Sequence, residues 1–165
     1  MSKSFVQPRP LTASLDIAAS PQDVWALVAD VRRTGEWSPE CVRVLPIGRL
    51  RRGGLLLGVN RRAWVRWATL SRVHSYEPGL NIGWTVLTNR AVWSYRLEPH
   101  ECGTRLIETR RAPRGQGMFA MWFTKRLLGG QVPHDDELEA GMQTGLLRIK
   151  ELVEVDAPNT IASGH

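Results

Sequence analysis

Cysteine and histidine are scarce in this sequence: two of the 165 residues are cysteine and four are histidine. Cys41 and Cys102 lie far apart and share no metal-type spacing, so we read both as free thiols. The sequence also has no glycine-rich phosphate loop and no nucleophile elbow. These absences argue against a disulfide scaffold and against chemistry that depends on a metal or a cofactor, and we expect neither group.

Long apolar runs are missing as well. No segment approaches the ~20 apolar residues needed to cross a bilayer, and residues 1–10 contain Lys3 and Arg9 but no apolar signal core. Hydrophobic residues make up 42% of the chain and charged residues 23%, an ordinary globular balance. We therefore expect a cytoplasmic protein with one domain over residues 1–165, its core at about 11–155 and tails at 1–10 and 156–165.

Arginine is abundant: the net charge is +6, and 19 of the 22 basic residues are arginine. Three clusters stand out, namely Arg49/Arg51/Arg52, Arg61/Arg62/Arg66 and Arg110/Arg111/Arg114. The simplest interpretation is a solvated surface, and we expect no specific nucleic acid because no nucleic-acid motif accompanies the clusters. The alternative is transient docking to an acidic protein, RNA or a membrane surface, helped by the apolar residues 118–128. A monomer or a weak homodimer is expected.

The order of predicted elements defines the fold class. Residues 11–18 alternate as a half-buried strand does, and Ser20-Pro21-Gln22-Asp23 has the N-cap hydroxyl, proline and acid of a helix start. A second short helix is predicted within residues 32–39. Extended segments then fill residues 41–111, divided by turns at 52–54, 60–63, 77–79, 88–90 and 99–103. A final helix should run from His134 to about Val155, which makes an α+β protein.

Strand parity predicts which side chains face the last helix. Trp67, Thr69, Trp84, Trp93, Tyr95 and Glu108 should point inward, whereas His74 should face water. Leu138 and Met142 lie on the apolar stripe of the helix. Gly141 and Gly145 interrupt that stripe and either permit a close approach to the sheet or leave space for a ligand. Aromatic walls with a few polar groups are typical of a small-molecule pocket as well as of a core.

With these features the sequence resembles the START-like, or SRPBCC, superfamily, in its bacterial polyketide cyclase/dehydrase-like branch. The resemblance extends over about residues 11–154. It is carried by short motifs whose order and spacing matter more than any one of them: Ala18-Ala19-Ser20-Pro21-Gln22-Asp23-Val24-Trp25, Glu36-Trp37-Ser38-Pro39, Asn60-Arg61-Arg62 with Trp64 and Trp67, Trp93-Ser94-Tyr95, Gly103-Thr104-Arg105-Leu106 and Gly141-Met142.

The resemblance implies a helix-grip fold, in which a seven-stranded antiparallel sheet wraps around the long C-terminal helix and two short helices separate strands 1 and 2. Members hold a hydrophobic ligand between sheet and helix, and residues 118–128 occupy the position of a variable lid. The lining residues implied are Trp37, Trp67, Thr69, Trp84, Trp93, Tyr95, Met118, Trp122, Leu138 and Met142.

Catalytic groups are few. No histidine has inward parity, and Asp135, Asp136 and Glu137 are better explained as favourable charges at a helix N-terminus. Tyr95 and Glu108 are the candidate acid and base. The leading hypothesis is therefore a carrier or sensor of a lipid or polyketide-like molecule. A polyketide cyclase, aromatase or dehydratase is the first alternative, and an interaction module is the second.

Overall fold

A seven-stranded antiparallel sheet and one long helix dominate the computed structural model, which describes residues 10–111 and 135–156. The strands are β1 (Leu11–Ile17), β2 (Cys41–Ile47), β3 (Leu55–Arg62), β4 (Val65–Glu77), β5 (Asn81–Val86), β6 (Val92–His100) and β7 (Gly103–Arg111). The helices are α1 (Pro21–Val28), a 3-10 helix (Val31–Glu36) and α2 (Asp135–Asp156). The predicted α+β class is confirmed, and the segment 118–128 lies outside the described residues.

The start of α1 follows from its capping residues. Ser20 Oγ accepts a hydrogen bond from the Asp23 backbone N–H at 3.2 Å, which satisfies one of the free amide groups of the first turn. Pro21 occupies the first turn, where its missing N–H is not needed. Val24, Leu27 and Val28 form the buried face of this helix. The sequence prediction for this helix start is confirmed.

The order of strands in the sheet is β1-β7-β6-β5-β4-β3-β2. Strands β2 to β7 follow one another as a meander, whereas β1 pairs with β7, the last strand, and Leu11 lies opposite Arg110. The chain therefore crosses from one sheet edge to the other through α1 and the 3-10 helix. This crossing brings both short helices beneath the same face of the sheet as α2, and we call that face the inner face.

The turn between β3 and β4 differs from the sequence prediction. A turn was expected over residues 60–63, but β3 continues through Arg62, which pairs with Val65. Ala63 and Trp64 alone form the turn. Strand β4 has 13 residues, and its partner β5 ends opposite Ser71, so the β3–β4 hairpin extends beyond β5. On the other side, β2 pairs with β3 as far as Asn60.

Polar contacts fix the C-terminal half of α2 to β1. Lys150 Nζ donates to the Asp16 carbonyl at 3.1 Å, and the Ala18 backbone N–H donates to Glu154 Oε1 at 3.0 Å. Arg105 of β7 holds the Asp16 carboxylate through two hydrogen bonds of 2.7 and 3.1 Å. Beneath these contacts Leu146 and Ile149 are completely buried. No helix in the described part of the chain is long and apolar enough to cross a membrane.

Candidate ligand-binding site

One end of the inner face is closed by apolar packing. Its residues from the strands and from α2 are all 4% exposed or less: Ile17, Val73, Ile82, Leu97, Leu106, Leu146, Ile149 and Val153. They form a continuous buried cluster with Val24 and Val28 of α1. Side chains packed this completely leave no room for a ligand, so a site must lie towards the other end.

We call the other end of the inner face the open part, because in the described structure several of its side chains on three neighbouring strands are only half-buried. Val65, Ser71 and Val86 on the same face are buried. Val73 of β4, Ile82 of β5 and Leu97 of β6 are buried. Residues further towards the β3–β4 hairpin on the same strands and the same face are only half-buried, namely Trp67, Thr69, Trp84 and Trp93. In the described structure Trp67, Trp84 and Trp93 therefore keep part of their surface accessible to a molecule on this face.

The register determines which of the predicted lining residues come together. Trp84 and Trp93 are directly opposite each other on β5 and β6, and the Trp84 and Tyr95 rings lie 6.0 Å apart. Trp67 is not part of this group. Trp84 pairs with Val73, so Trp67 lies six residues further along β4, or roughly 20 Å. Trp67 and Thr69 line the part of the inner face near the hairpin.

A buried polar pair lies where the closed and open parts meet. Tyr95 and Glu108 are opposite each other on β6 and β7, both 6% exposed, and the Tyr95 hydroxyl donates to Glu108 Oε1 at 3.1 Å. Burial raises the pKa of Glu108 to about 7, although the hydrogen bond from Tyr95 acts in the opposite direction. The pKa of Tyr95 is raised well above its usual value, first by burial and then by the nearby Glu108 charge.

Trp37 and Cys41 extend this polar group. Trp37 is 1% exposed, and its indole N–H has no hydrogen-bond partner among the described residues, an unusual state for a buried donor. The indole N–H is close enough to the Tyr95 hydroxyl to lower the Tyr95 pKa, although the contact falls short of hydrogen-bond geometry. Burial raises the pKa of the Cys41 thiol to about 11, so this cysteine is a neutral thiol.

The sequence analysis did not identify two residues of the open part, Arg110 and Asn60. Arg110 has the same inner-face position as Glu108, and its guanidinium lies 5.5 Å from the centre of the Trp93 ring. Asn60 Nδ2 donates to Thr69 Oγ1 at 3.2 Å. Arg110 was interpreted from sequence as a surface residue because it belongs to a charge cluster. The alternation of β7 was the available signal, since it places Arg110 two residues after Glu108.

The α2 residues cover this region from the other side. Met142 is buried and Leu138 is half-buried, as their helical spacing suggested. A methyl group added at Gly141 would lie 3.8 Å from Pro39 Cγ, and one added at Gly145 would lie 3.5 Å from the Trp37 carbonyl oxygen. Both are ordinary contact distances. A close approach of helix and sheet therefore does not require glycine at either position, which favours the interpretation that the glycines leave space.

The remaining candidate groups lie elsewhere. His74 lies on the outer face and is exposed as a residue, but its ring lies against Gly83. The partial loss of hydration there, and then the Arg52 charge, lower the pKa of His74. Met118 and Trp122 lie outside the described residues. An open depression of about 440 Å³ lies at the β2–β3 turn beside Ile47 and Arg51, but no buried polar group faces it. Within residues 10–111 and 135–156 no three histidine, cysteine or acidic residues are grouped to hold a metal ion.

The sequence matches one family model over most of its length. The family model described as "Polyketide cyclase / dehydrase and lipid transport" matches residues 9–154. The chain belongs to this family. No curated protein matches the sequence. The family assignment confirms the resemblance that the sequence motifs suggested.

Solved structures confirm the helix-grip fold. The chain is similar to a polyketide cyclase-like protein of Corynebacterium glutamicum, at 28% identity and a TM-score of 0.61 over 94% of this chain and 97% of that one. It is also similar to a protein of Thermus thermophilus, at 16% identity and a TM-score of 0.67 over 90% and 99% of the two chains. The Zhui aromatase/cyclase of a Streptomyces species matches at 18% identity and a TM-score of 0.66 over 88% and 93%.

Proposed function

We propose that this family member binds a hydrophobic small molecule, a lipid or a polyketide-like compound, between the inner face and α2, as a carrier or a sensor. The observation that carries the proposal is that Trp67, Trp84 and Trp93 of the inner face are only half-buried, whereas the inner-face residues of the closed end are buried. Trp84 and Trp93 offer flat apolar surfaces there, and an apolar molecule placed against them would remove that surface from water.

The polar group beside these rings would orient the ligand. Trp37 has an N–H without a partner among the described residues, and Glu108 with a pKa of about 7 is partly protonated near neutral pH. Both can therefore donate a hydrogen bond to a ligand oxygen. An apolar wall with a few convergent polar groups is the usual composition of a small-molecule site.

The first test is mass spectrometry of the purified protein, once under native conditions and once after solvent extraction. We expect a co-purified hydrophobic molecule. The W84A/W93A variant should retain it about tenfold less because both flat surfaces are lost. L80A is the control, since Leu80 is 54% exposed and lies at the β4–β5 turn, outside the site. A molecule retained equally by W84A/W93A would contradict this location, and W84F/W93F tests whether aromatic surface alone is sufficient.

A second candidate function is a cyclase, aromatase or dehydratase that needs no cofactor. The observation that favours it is the pairing of Tyr95 with Glu108 and the raised pKa of that carboxyl. The protonated Glu108 would donate its proton to a ligand carbonyl or hydroxyl oxygen, and the resulting carboxylate would take a proton back from carbon. A group that titrates near neutrality suits both steps.

Turnover of a polyketide-like substrate separates the two functions. The Y95F/E108Q variant should lose turnover and keep binding, because it removes the proton-transfer groups while retaining the shape of the site. Turnover in this variant equal to that of the wild type would reject these roles. Binding without turnover in the wild-type protein would support the carrier or sensor.

The same proposal places a single-domain protein in the cytoplasm as a monomer or a weak homodimer. The family match over residues 9–154 supports one domain. Sedimentation over a range of protein concentrations tests the oligomeric state, and a dimer that persists at the lowest concentration would contradict it.

A further inference from the structure

The tip of the β3–β4 hairpin exposes a tryptophan to water. Trp64 is 86% exposed, more than any other large hydrophobic residue in the described part of the chain. It is one of the two residues of the turn, at the end of a hairpin that extends beyond β5. A single exposed aromatic residue needs no special explanation. In this hairpin, however, the residues of the turn and the charges beside it are unfavourable for folding as well.

The turn lacks the residues that stabilise such turns. Two-residue hairpin turns favour Asn, Asp and Gly because these residues tolerate a positive φ. Here the positive φ, +51°, falls on Ala63, and Trp64 follows it. A side chain with a Cβ is disfavoured in this conformation. Local folding preferences therefore do not account for the choice of Ala63 and Trp64.

The flanking charges oppose folding as well. Arg61 and Arg66 are directly opposite each other on β3 and β4, and both are exposed. Like charges in a cross-strand pair repel each other. Arg62 points to the inner face and lies near Glu40 and Glu137, at 3.9 and 3.4 Å. Among the described contacts, Arg61 and Arg66 have no such acidic partner. An external anion would relieve their repulsion.

We propose that the hairpin tip, defined as Arg61, Ala63, Trp64 and Arg66, docks on the surface of an anionic lipid bilayer. Tryptophan prefers the boundary between headgroups and hydrocarbon, and arginines beside it would contact the lipid phosphates. A lone aromatic residue at a protruding tip fits a lipid surface better than single-stranded RNA, which is bound by several aromatic residues along a groove. The proposal stands independently of the ligand site.

Docking in this way would have a consequence for the inner face. The half-buried tryptophans of the inner face lie towards the same hairpin. Arg62 connects the hairpin to the first turns of α2 through Glu137. The open part of the inner face would therefore lie close to the bilayer surface. A hydrophobic molecule could then move between bilayer and protein over a short path through water.

Co-sedimentation with vesicles tests the proposal on the full chain. The vesicles consist of phosphatidylcholine, with and without phosphatidylglycerol. We expect binding only to the anionic vesicles and weaker binding at higher salt. The R61Q/R66Q variant should bind about fivefold more weakly for each arginine, or about 25-fold in total. W64S should also weaken binding. The emission of Trp64 itself is obtained by subtracting the W64F fluorescence spectrum from that of the wild type, and this emission should shift to the blue when vesicles are bound.

Two control variants remove the same charge, or an exposed apolar side chain, from other parts of the surface. R51Q/R52Q removes the same charge from the exposed β2–β3 turn, and L80S removes an exposed side chain from the β4–β5 turn. Both should bind as the wild type does. An equal loss in R51Q/R52Q would show that net charge alone is responsible and would overturn the proposal. Equal binding to neutral and anionic vesicles would also overturn the proposal. The same holds if the protein does not bind vesicles but binds a single-stranded RNA oligonucleotide, and W64S abolishes that binding.

Discussion

At the scale of single residues, Glu108 has the clearest energetic consequence. A buried carboxylate loses its hydration, and a single hydrogen bond from Tyr95 does not replace it. The folded protein therefore holds the Glu108 proton up to a pKa of about 7, whereas the unfolded chain releases it near the ordinary value of 4.5. Between these two pH values the folded state binds more protons than the unfolded state.

This difference predicts how stability depends on pH. Because the folded state retains the proton, the contribution of Glu108 to the free energy of unfolding should fall as pH rises from 4.5 to about 7 and stay constant beyond these limits. The fall should be at most about 3 kcal/mol. Urea unfolding of wild type and E108Q at about pH 5 and about pH 8 measures it. The pH-dependent loss should be smaller in E108Q by that amount, and an identical loss in both proteins would contradict a buried, protonated Glu108.

The sequence predicted the inward direction of Tyr95 and Glu108 because both lie in regular strands, where alternation determines the face. It could not show that they form a pair. Their distance depends on the register between β6 and β7, and on the neighbouring Trp37, which comes from a different part of the chain. The placement of Trp67 away from Trp84 has the same cause, because parity contains no information on register.

At the scale of elements, α2 combines two glycines with a buried apolar stripe. Glycine weakens a helix because the unfolded chain has more freedom at that position. Among the described residues, an added methyl group at Gly141 would contact only Pro39 Cγ, at 3.8 Å, so this part of the structure accepts alanine there. The cost of this glycine in stability is therefore not compensated by packing in the described structure.

G141A should stabilise the protein by about 1 kcal/mol and raise its Tm by about 2–4 °C. Circular dichroism during thermal unfolding measures the change, with A140G, at an exposed neighbouring position, as the control that should lose a similar amount. If the glycine leaves room for a ligand, G141A should also retain less of the co-purified molecule. A lower Tm for G141A would show that the position requires glycine for packing.

The sequence predicted the type of every strand and helix in the described part of the chain but misplaced the β3–β4 turn. The prediction relied on residues that favour turns, and Asn60 was the nearest one. In the structure Asn60 is a strand residue whose amide bonds to Thr69, and the turn consists of Ala63 and Trp64. The prediction from turn preferences was therefore wrong at the hairpin tip that we propose for docking. There, the residues that suit docking are not the ones that stabilise the turn.

At the scale of the whole molecule, the meander β2–β7 followed from the sequence because each strand pairs with the next one. The pairing of β1 with β7 did not, since it joins residues about a hundred positions apart and leaves no local pattern. The family resemblance implied one seven-stranded antiparallel sheet but not this pairing. The residues 118–128 remain a prediction, because they lie outside the described structure.

The two halves of α2 are held by different contacts. Its C-terminal half is fixed by Lys150 and Glu154 over a closed core, and Glu137 in its first turns pairs with Arg62 of β3. A small tilt about the fixed half would widen the opening between helix and sheet without disturbing Leu146 or Ile149. The free energy needed to open the site for a ligand would then be largely separate from the free energy that stabilises the fold.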